Sequence, residues 1–492
     1  MLKIISDTMG RIEKDSLGKI EVPDNVLYGA FTARASRNFR ISGLRAKPEF
    51  ISSIALIKKA AALANMKLGM LDKKIGDAIV QAASEVIEGK YSDQFILDVF
   101  QAGAGTPFNM NTNEVIANVA IKTLGGKPGD YHIVHPNNHV NMAQSSNDVI
   151  PTAIRISVLL TLPALIRELE ETALSFHSKA EEYNNVIKVG RTHLEDAVPI
   201  RYGQVFDGYG SSMEKCTGRI KKAQESMLEL SIGGTATGTG INTHPEFKKT
   251  IISELNGLTG LEFYPGNSIM MSWSMAGFVE MSNSLRILAI ELNKISNDLR
   301  LLNSGPKAGI SEIILPEVEP GSSIMPGKIN PSIAEAVNMV CFQVTGNDHA
   351  VSLAAEAGQL ELNVMTPLIA FDLLWSIKLL INTVRMFRED CVSGIIVDEK
   401  RCARLLENSQ VLATVLNPYI GYENVAELVK TALHENKSLK QLILERDIIP
   451  EIYLNKILDP VKMTEPETID KRIIEEIKEY WKKREESRIE SD

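Results

Sequence analysis

The chain has 492 residues, 44% of them hydrophobic and 23% charged, a balance that excludes a fibrous, a wholly disordered or a membrane-embedded protein. Its 53 Lys and Arg against 62 Asp and Glu leave a net charge of -9, so no overall positive field draws nucleic acid or an anionic membrane surface. An anionic small molecule must find cations local to its site.

Met1-Leu-Lys-Ile-Ile-Ser-Asp7 lacks the apolar stretch and small-residue cleavage site of a secretory leader, and no run approaches the roughly 20 apolar residues of a membrane span. Cys216, Cys341, Cys391 and Cys402 lie far apart with no C-x-x-C pair. They read as reduced thiols in a cytoplasmic protein rather than as a disulfide framework or a zinc cluster.

Few segments alternate with period two, while Ala, Leu, Ile and Met recur at helical spacing, so the fold class expected is all-α. Ile54, Leu56, Ile57, Ala60, Ala61, Leu63 and Ala64 mark an early helix. Long helices are predicted from Thr152 to about Tyr183, from about Gly203 to Leu230, from about Ser268 to Leu302 and from about Asn347 to Phe387. Helices of about 30 residues are about 45 Å long, and their apolar faces suit a bundle. Polar, Gly-, Asn- and Ser-rich loops interrupt them at 103–113, 135–148, 190–197, 233–243 and 304–331, where binding groups tend to sit. Three domains are expected: residues 1–150, mainly helical with the first loops; 151–395, the long-helix bundle; and 396–492, a small helical domain. From Glu465 onward the chain is highly charged, but Ile469, Ile473, Ile477 and Trp481 predict a docked terminal helix with Pro466 in its first turn.

The segment richest in chemistry is Gly321-Ser-Ser-Ile-Met-Pro-Gly-Lys-Ile-Asn-Pro331. Glycines at both ends let it bend, Ser322 and Ser323 bring hydroxyls, and Lys328 and Asn330 bring a cation and an amide. Asn330 before Pro331 also predicts a helix start whose free N–H groups lie beside Lys328, which makes a carboxylate-binding corner. Two other loops invite different readings. Gly233-Gly-Thr-Ala-Thr-Gly-Thr-Gly240 lacks the Gly-Lys-Ser/Thr ending of a phosphate loop and reads as close packing at a helix junction, near Asn242 and His244. His132, His135 and His139 have a spacing that invites a metal, but Pro136 and Asn137 break the helix that would align their rings. Neither a metal nor a cofactor is expected.

Gly-Ser-Ser-x-Met-Pro-x-Lys-x-Asn-Pro resembles the signature of the fumarase/aspartase superfamily, and the resemblance runs from about Arg11 to about Met463. Gly103-Ala-Gly-Thr-Pro-Phe-Asn-Met-Asn-Thr-Asn-Glu114 resembles the first substrate loop of that family, His135 to Asp148 the second, and Gly190-Arg-Thr-His-Leu-Glu-Asp-Ala197 the third. The resemblance implies a homotetramer with a twenty-helix core, each site being built by loops from three subunits. It also implies reversible anti elimination from a small dicarboxylate to give fumarate. Ser322 would be the base, Lys328 and Asn330 would hold the doubly charged aci-carboxylate, and Thr106, Ser145, Ser146, Asn147 and Thr192 would bind substrate. His193 would face the same cavity and pair with Glu335.

Within the superfamily two branches compete. Gly103-Ala-Gly-Thr and Ala355-Glu-Ala-Gly-Gln-Leu-Glu-Leu-Asn-Val-Met365 resemble the aspartate ammonia-lyases, whereas Ser145-Ser-Asn147 resembles the class II fumarases and Pro107 departs from both. The ammonia-lyase is favoured, with the hydratase as alternative. A scaffold that retains the fold without catalysis is a third reading, and the joint presence of Ser322, Lys328, Asn330, His193 and Glu335 argues against it.

Overall fold

The computed structural model describes residues 10–489. Residues 1–9, on which the expectation of no leader rests, and residues 490–492 lie outside the described residues. In chain order the ribbon β1 (Gly10–Asp15) and β2 (Gly18–Pro23) is followed by α1 (Ala30–Asn38), α2 (Pro48–Lys67), α3 (Lys73–Ile87), α4 (Thr106–Thr123) and α5 (Ser146–Glu182). A second ribbon, β3 (Ile187–Thr192) and β4 (Glu195–Arg201), leads into α6 (Tyr202–Ala223). Then come β5 (Glu229–Leu230), α7 (Phe247–Thr259), β6 (Tyr264–Pro265), α8 (Ser268–Trp273), α9 (Ala276–Leu302), β7 (Ile313–Ile314), α10 (Ser332–Glu356), α11 (Thr366–Asp390) and β8 (Ile396–Val397). The chain ends in α12 (Glu399–Asn408), α13 (Asn417–Ile420), α14 (Tyr422–Glu435), α15 (Leu439–Glu445), α16 (Glu451–Ile457) and α17 (Lys471–Ile489). Helix dominates throughout, as the periodicity predicts.

Two compact units share the chain: Met1–Leu169, Lys215–Leu292 and Met339–Val384 form the first, and Glu170–Glu214, Asn293–Asn338 and Arg385–Asp492 the second. In the first, α2 is alanine-rich and buried on most sides, through Ile54, Ala55, Ile57, Ala60, Ala61 and Ala64, because α3, α4 and α7 all pack on it. The start of α1 has no side-chain cap of its own. Its free N–H groups go instead to two distant carboxylates: Glu114 accepts from Gly29, Phe31 and Thr32, and Glu13 accepts from Ala30. Burial pushes the Glu114 carboxyl up to about 7 against the pull of those donors. In the second unit Phe176, Tyr183, Tyr202, Phe206, Tyr209 and Phe387 stack in tilted and edge-on pairs. A separate core in the same unit is closed by α17, whose Ile477 is fully buried and whose Trp481 indole donates to Ile448 O at 2.7 Å.

Several predicted boundaries shift. The helix foreseen from Ser268 to Leu302 breaks after Trp273, and that foreseen from Asn347 to Phe387 is two helices separated at 357–365. In that gap the Asn363 amide donates to Ala354 O and Ala355 O, so it satisfies the end of α10 with side-chain bonds. The predicted loop 190–197 is mostly the β3–β4 ribbon. The terminal helix starts at Lys471, so Pro466 lies before it. Finally, α5 and the stretch Thr366–Gly394 are long and apolar enough to cross a membrane by length and composition, contrary to the sequence reading. In each, 72% of the apolar window is buried inside the structure, so core packing accounts for the composition.

The 233–240 loop does pack tightly. Gly238 has φ +95°, and a Cβ there would lie 2.5 Å from Ile269 N. Gly238→Ala is therefore expected to cost about 2–4 kcal/mol in urea denaturation, since both the backbone and Ile269 must yield. A loss under about 0.5 kcal/mol would show that the loop is not held against α8.

Candidate active site

In the first unit two helix starts are joined. Ala104 and Gly105 both have positive φ and turn the chain into α4, whose first residue is Thr106; Thr106 is half-buried and the helix start has no side-chain cap. Ser145, Ser146 and Asn147 form the start of α5. Asn109 Nδ2 donates to Ser146 Oγ at 3.1 Å, and Gly105 packs on Ile150, which brings the two helix ends together. Ser145 Oγ accepts from Asn147 N, and Asn147 Nδ2 donates to Ala236 O at 2.7 Å. Hydroxyls gathered at two helix N-termini, where the helix dipoles favour negative charge, suit a carboxylate. In the first turn of α5 the buried Asp148 accepts from Ser145 N, Gly233 N and Thr235 N, so the 233–240 glycines wrap a protein carboxylate rather than a phosphate. Burial raises that carboxyl to about 6, against the pull of those N–H groups and of Lys58.

His135 and His139 bind backbone. His135 Nδ1 accepts from Asn137 N and Asn138 N, and His139 Nδ1 accepts from His135 N. Among the described residues no group of His, Cys, Asp or Glu is arranged to hold a metal ion.

In the second unit Thr192 and His193 are at the tip of the β3–β4 ribbon. Thr192 pairs with Glu195, leaving His193 and Leu194 as a two-residue turn with φ of 57° and 65°. Both Thr192 and His193 are exposed, and among the described residues His193 has no hydrogen bond or ion pair. The base of the ribbon is anchored by Glu312, which is fully buried. Its carboxylate lies 3.1 Å from Lys188 Nζ, accepts from Arg191 at 2.8 Å and accepts from the Tyr202 hydroxyl at 3.0 Å. Burial pulls the Lys188 ammonium down, and the charge of Glu312 pushes it back up.

The 321–331 loop folds on itself. Gly321 N donates to Lys328 O at 2.8 Å, Asn330 Nδ2 donates to Gly321 O at 2.7 Å, and Lys328 Nζ donates to Asn330 Oδ1 at 2.5 Å. Asn330 is thus occupied within the loop and does not cap α10, which begins at Ser332. Ser322 Oγ accepts from Ile324 N at 3.2 Å and from Met325 N at 3.0 Å, while Ile324 and Met325 themselves are exposed. Glu335, in the first turn of α10, lies 3.8 Å from Arg300, and among the described residues no bond joins it to His193. Thr106, Ser145, Ser146 and Asn147 belong to one unit, and Thr192, His193, Ser322, Lys328, Asn330 and Glu335 to the other.

A family profile described as "Lyase" matches residues 18–346, two thirds of the chain, and one described as "Fumarase C C-terminus" matches residues 412–465. The chain belongs to the fumarase/aspartase family of lyases. It is 47% identical over 466 residues to the aspartate ammonia-lyase of Bacillus subtilis (strain 168), covering 94% of this chain and 98% of that one. It is 44% identical over 458 residues to fumarate hydratase class II 2 of Bradyrhizobium diazoefficiens, covering 93% and 97% respectively. The crystal structure of fumarate lyase:delta crystallin from Brucella melitensis bound to cobalt superposes with a TM-score of 0.90 at 44% identity, covering 93% of this chain and 100% of that one. Lyase activity follows for this member, as does the helical fold.

Sequence reading missed Lys58, Asn109, Asp148 and Glu312. The signal for Lys58 was a charge inside an alanine-rich run. Nothing local marks Glu312, because its partners are more than 100 residues away.

Proposed function

We propose that this lyase removes ammonia from L-aspartate, reversibly, to give fumarate. The observation that carries the reading is the pair of backbone N–H groups pointing at Ser322 Oγ. Donors aimed at a hydroxyl oxygen stabilise its alkoxide, and an alkoxide is the form of serine able to take a proton from Cβ. The electrons of that C–H bond pass to the neighbouring carboxylate as a doubly charged aci-form, then form the double bond as the Cα–N bond breaks. The substrate ammonium departs as neutral ammonia with no proton supplied. Lys328 and Asn330 would hold the aci-carboxylate, with Thr106, Ser145, Ser146, Asn147, Thr192 and His193 binding substrate and Glu335 supporting His193.

Exposed Leu160, Ile290, Met339, Phe342 and Leu353 along α5, α9 and α10 support a homotetramer in which subunits complete one another's sites. Four buried free thiols fit a cytoplasmic enzyme. The second reading, water loss from L-malate, is favoured by Ser145-Ser146-Asn147; hydroxide as leaving group then needs a proton donor, and His193 is the candidate. Fumarate formation from each substrate, followed by its ultraviolet absorbance, decides between them. Turnover of L-malate without turnover of L-aspartate overturns the ammonia-lyase reading, and a single protomer by light scattering overturns the shared site.

A further inference from the structure

Lys58 sits in the middle of α2 among Ile54, Ala55, Ile57, Ala61 and Ala62, with its side chain fully buried. Taking an ammonium out of water costs several kcal/mol, and a closely paired carboxylate would offset that cost. Here Nζ donates instead to two neutral acceptors, Asn141 Oδ1 at 2.8 Å and Gln144 Oε1 at 2.9 Å. Burial pulls the ammonium down to about 7, with the Asp148 charge acting the other way. A methionine would fill much the same space with no such loss of stability, so the lysine calls for a use.

That use lies in the direction of the hydrogen bonds. An ammonium has donors only, whereas an amide can be turned either way round. Facing Lys58, Asn141 must present Oδ1, and its Nδ2 then donates to Gln144 O at 3.2 Å. Asn141 Oδ1 also accepts from Asn109 Nδ2 at 3.2 Å, so Asn109 must present its nitrogen, which reaches Ser146 Oγ at 3.1 Å. Asn109 Oδ1 is left buried without a protein partner, a cost of holding the amide this way round. Ser146 Oγ is thereby made an acceptor, and its own hydrogen remains to be donated.

We infer that Lys58 is a positioning residue of the active site, which through Asn141 and Asn109 orients the Ser146 hydroxyl to donate to a substrate carboxylate. The inference rests on the assignment of Ser146 to substrate binding made above. Lys58→Met in the full-length enzyme is the test. Expected are a melting temperature equal to or above that of the wild type, about a tenfold or larger rise in KM for L-aspartate, and about a tenfold or larger weakening of succinate binding by calorimetry. Asn109→Leu, which cuts the relay and keeps the charge, should show the same weakening of binding. A folded Lys58→Met enzyme whose KM and succinate affinity stay within about threefold of wild type overturns the inference. So does a Lys58→Met protein that melts well below wild type while Asn109→Leu binds succinate normally, since the lysine is then structural only. Succinate binding is compared directly between proteins, so failure of the wild type to turn over L-aspartate bears on the proposed reaction and not on this relay.

Discussion

Replacing Ser322 by alanine is expected to lower the turnover of L-aspartate by about three orders of magnitude while KM and melting temperature stay close to wild type. The loss is the ordinary contribution of a positioned general base, about 100- to 10,000-fold. The fold should not notice, because the hydroxyl lies on a largely exposed loop and its bonds go to Ile324 N and Met325 N, which water can serve. Surface substitutions of this kind usually stay within about 0.5 kcal/mol. Lys328→Met would also slow the reaction, but through loss of charge at the aci-carboxylate, so it should weaken transition-state analogues far more than substrate. Initial rates of fumarate formation beside a thermal melt make the measurement. Turnover of the alanine variant within about tenfold of wild type would remove Ser322 from the mechanism.

The largest expected effect on stability is at Glu312. Alanine there leaves the buried Lys188 and the half-buried Arg191 without their carboxylate, strips the Tyr202 hydroxyl of its acceptor, and opens a cavity. Breaking a buried charge cluster from one side costs about 3–5 kcal/mol, whereas Glu312→Gln keeps the shape and should cost less. Urea denaturation read through the second unit's aromatic signal reports it. A change under about 1 kcal/mol would mean that water already compensates the two cations. The ribbon carrying Thr192 and His193 has its base on this cluster, so the alanine variant should also lose activity beyond what its folded fraction explains.

How far the amino-acid order revealed these arrangements varies with distance along the chain. Helical periodicity predicts α5 from Thr152 to its C-terminal end, because each apolar residue reports its own face, and misses the polar first turn from Ser146. The 321–331 loop is legible for the same local reason, as its glycines, hydroxyls, cation and amide lie within eleven positions. The gap between α10 and α11 is not, because apolar residues continue through it while the Asn363 side chain, not composition, closes the helix. Asn330 fits the sequence pattern of a helix cap but spends its amide nine residues back, on Gly321. The roles of Lys58 and Glu312 depend on partners about 85 and more than 100 residues away, and no window of sequence holds both ends of those bonds.

The turn at His193 and Leu194 limits how the tip of the ribbon can change over time. Neither residue is a glycine, so the left-handed backbone is sustained by the strand pairing on either side rather than by local preference. Swapping the imidazole for another polar side chain alters the chemistry at the apex and leaves the ribbon in register. Inserting a single residue between Arg191 and Thr192 would rotate Thr192 to the opposite side of the ribbon. Innovation here can proceed by exchange of side chains, and scarcely at all by change of length.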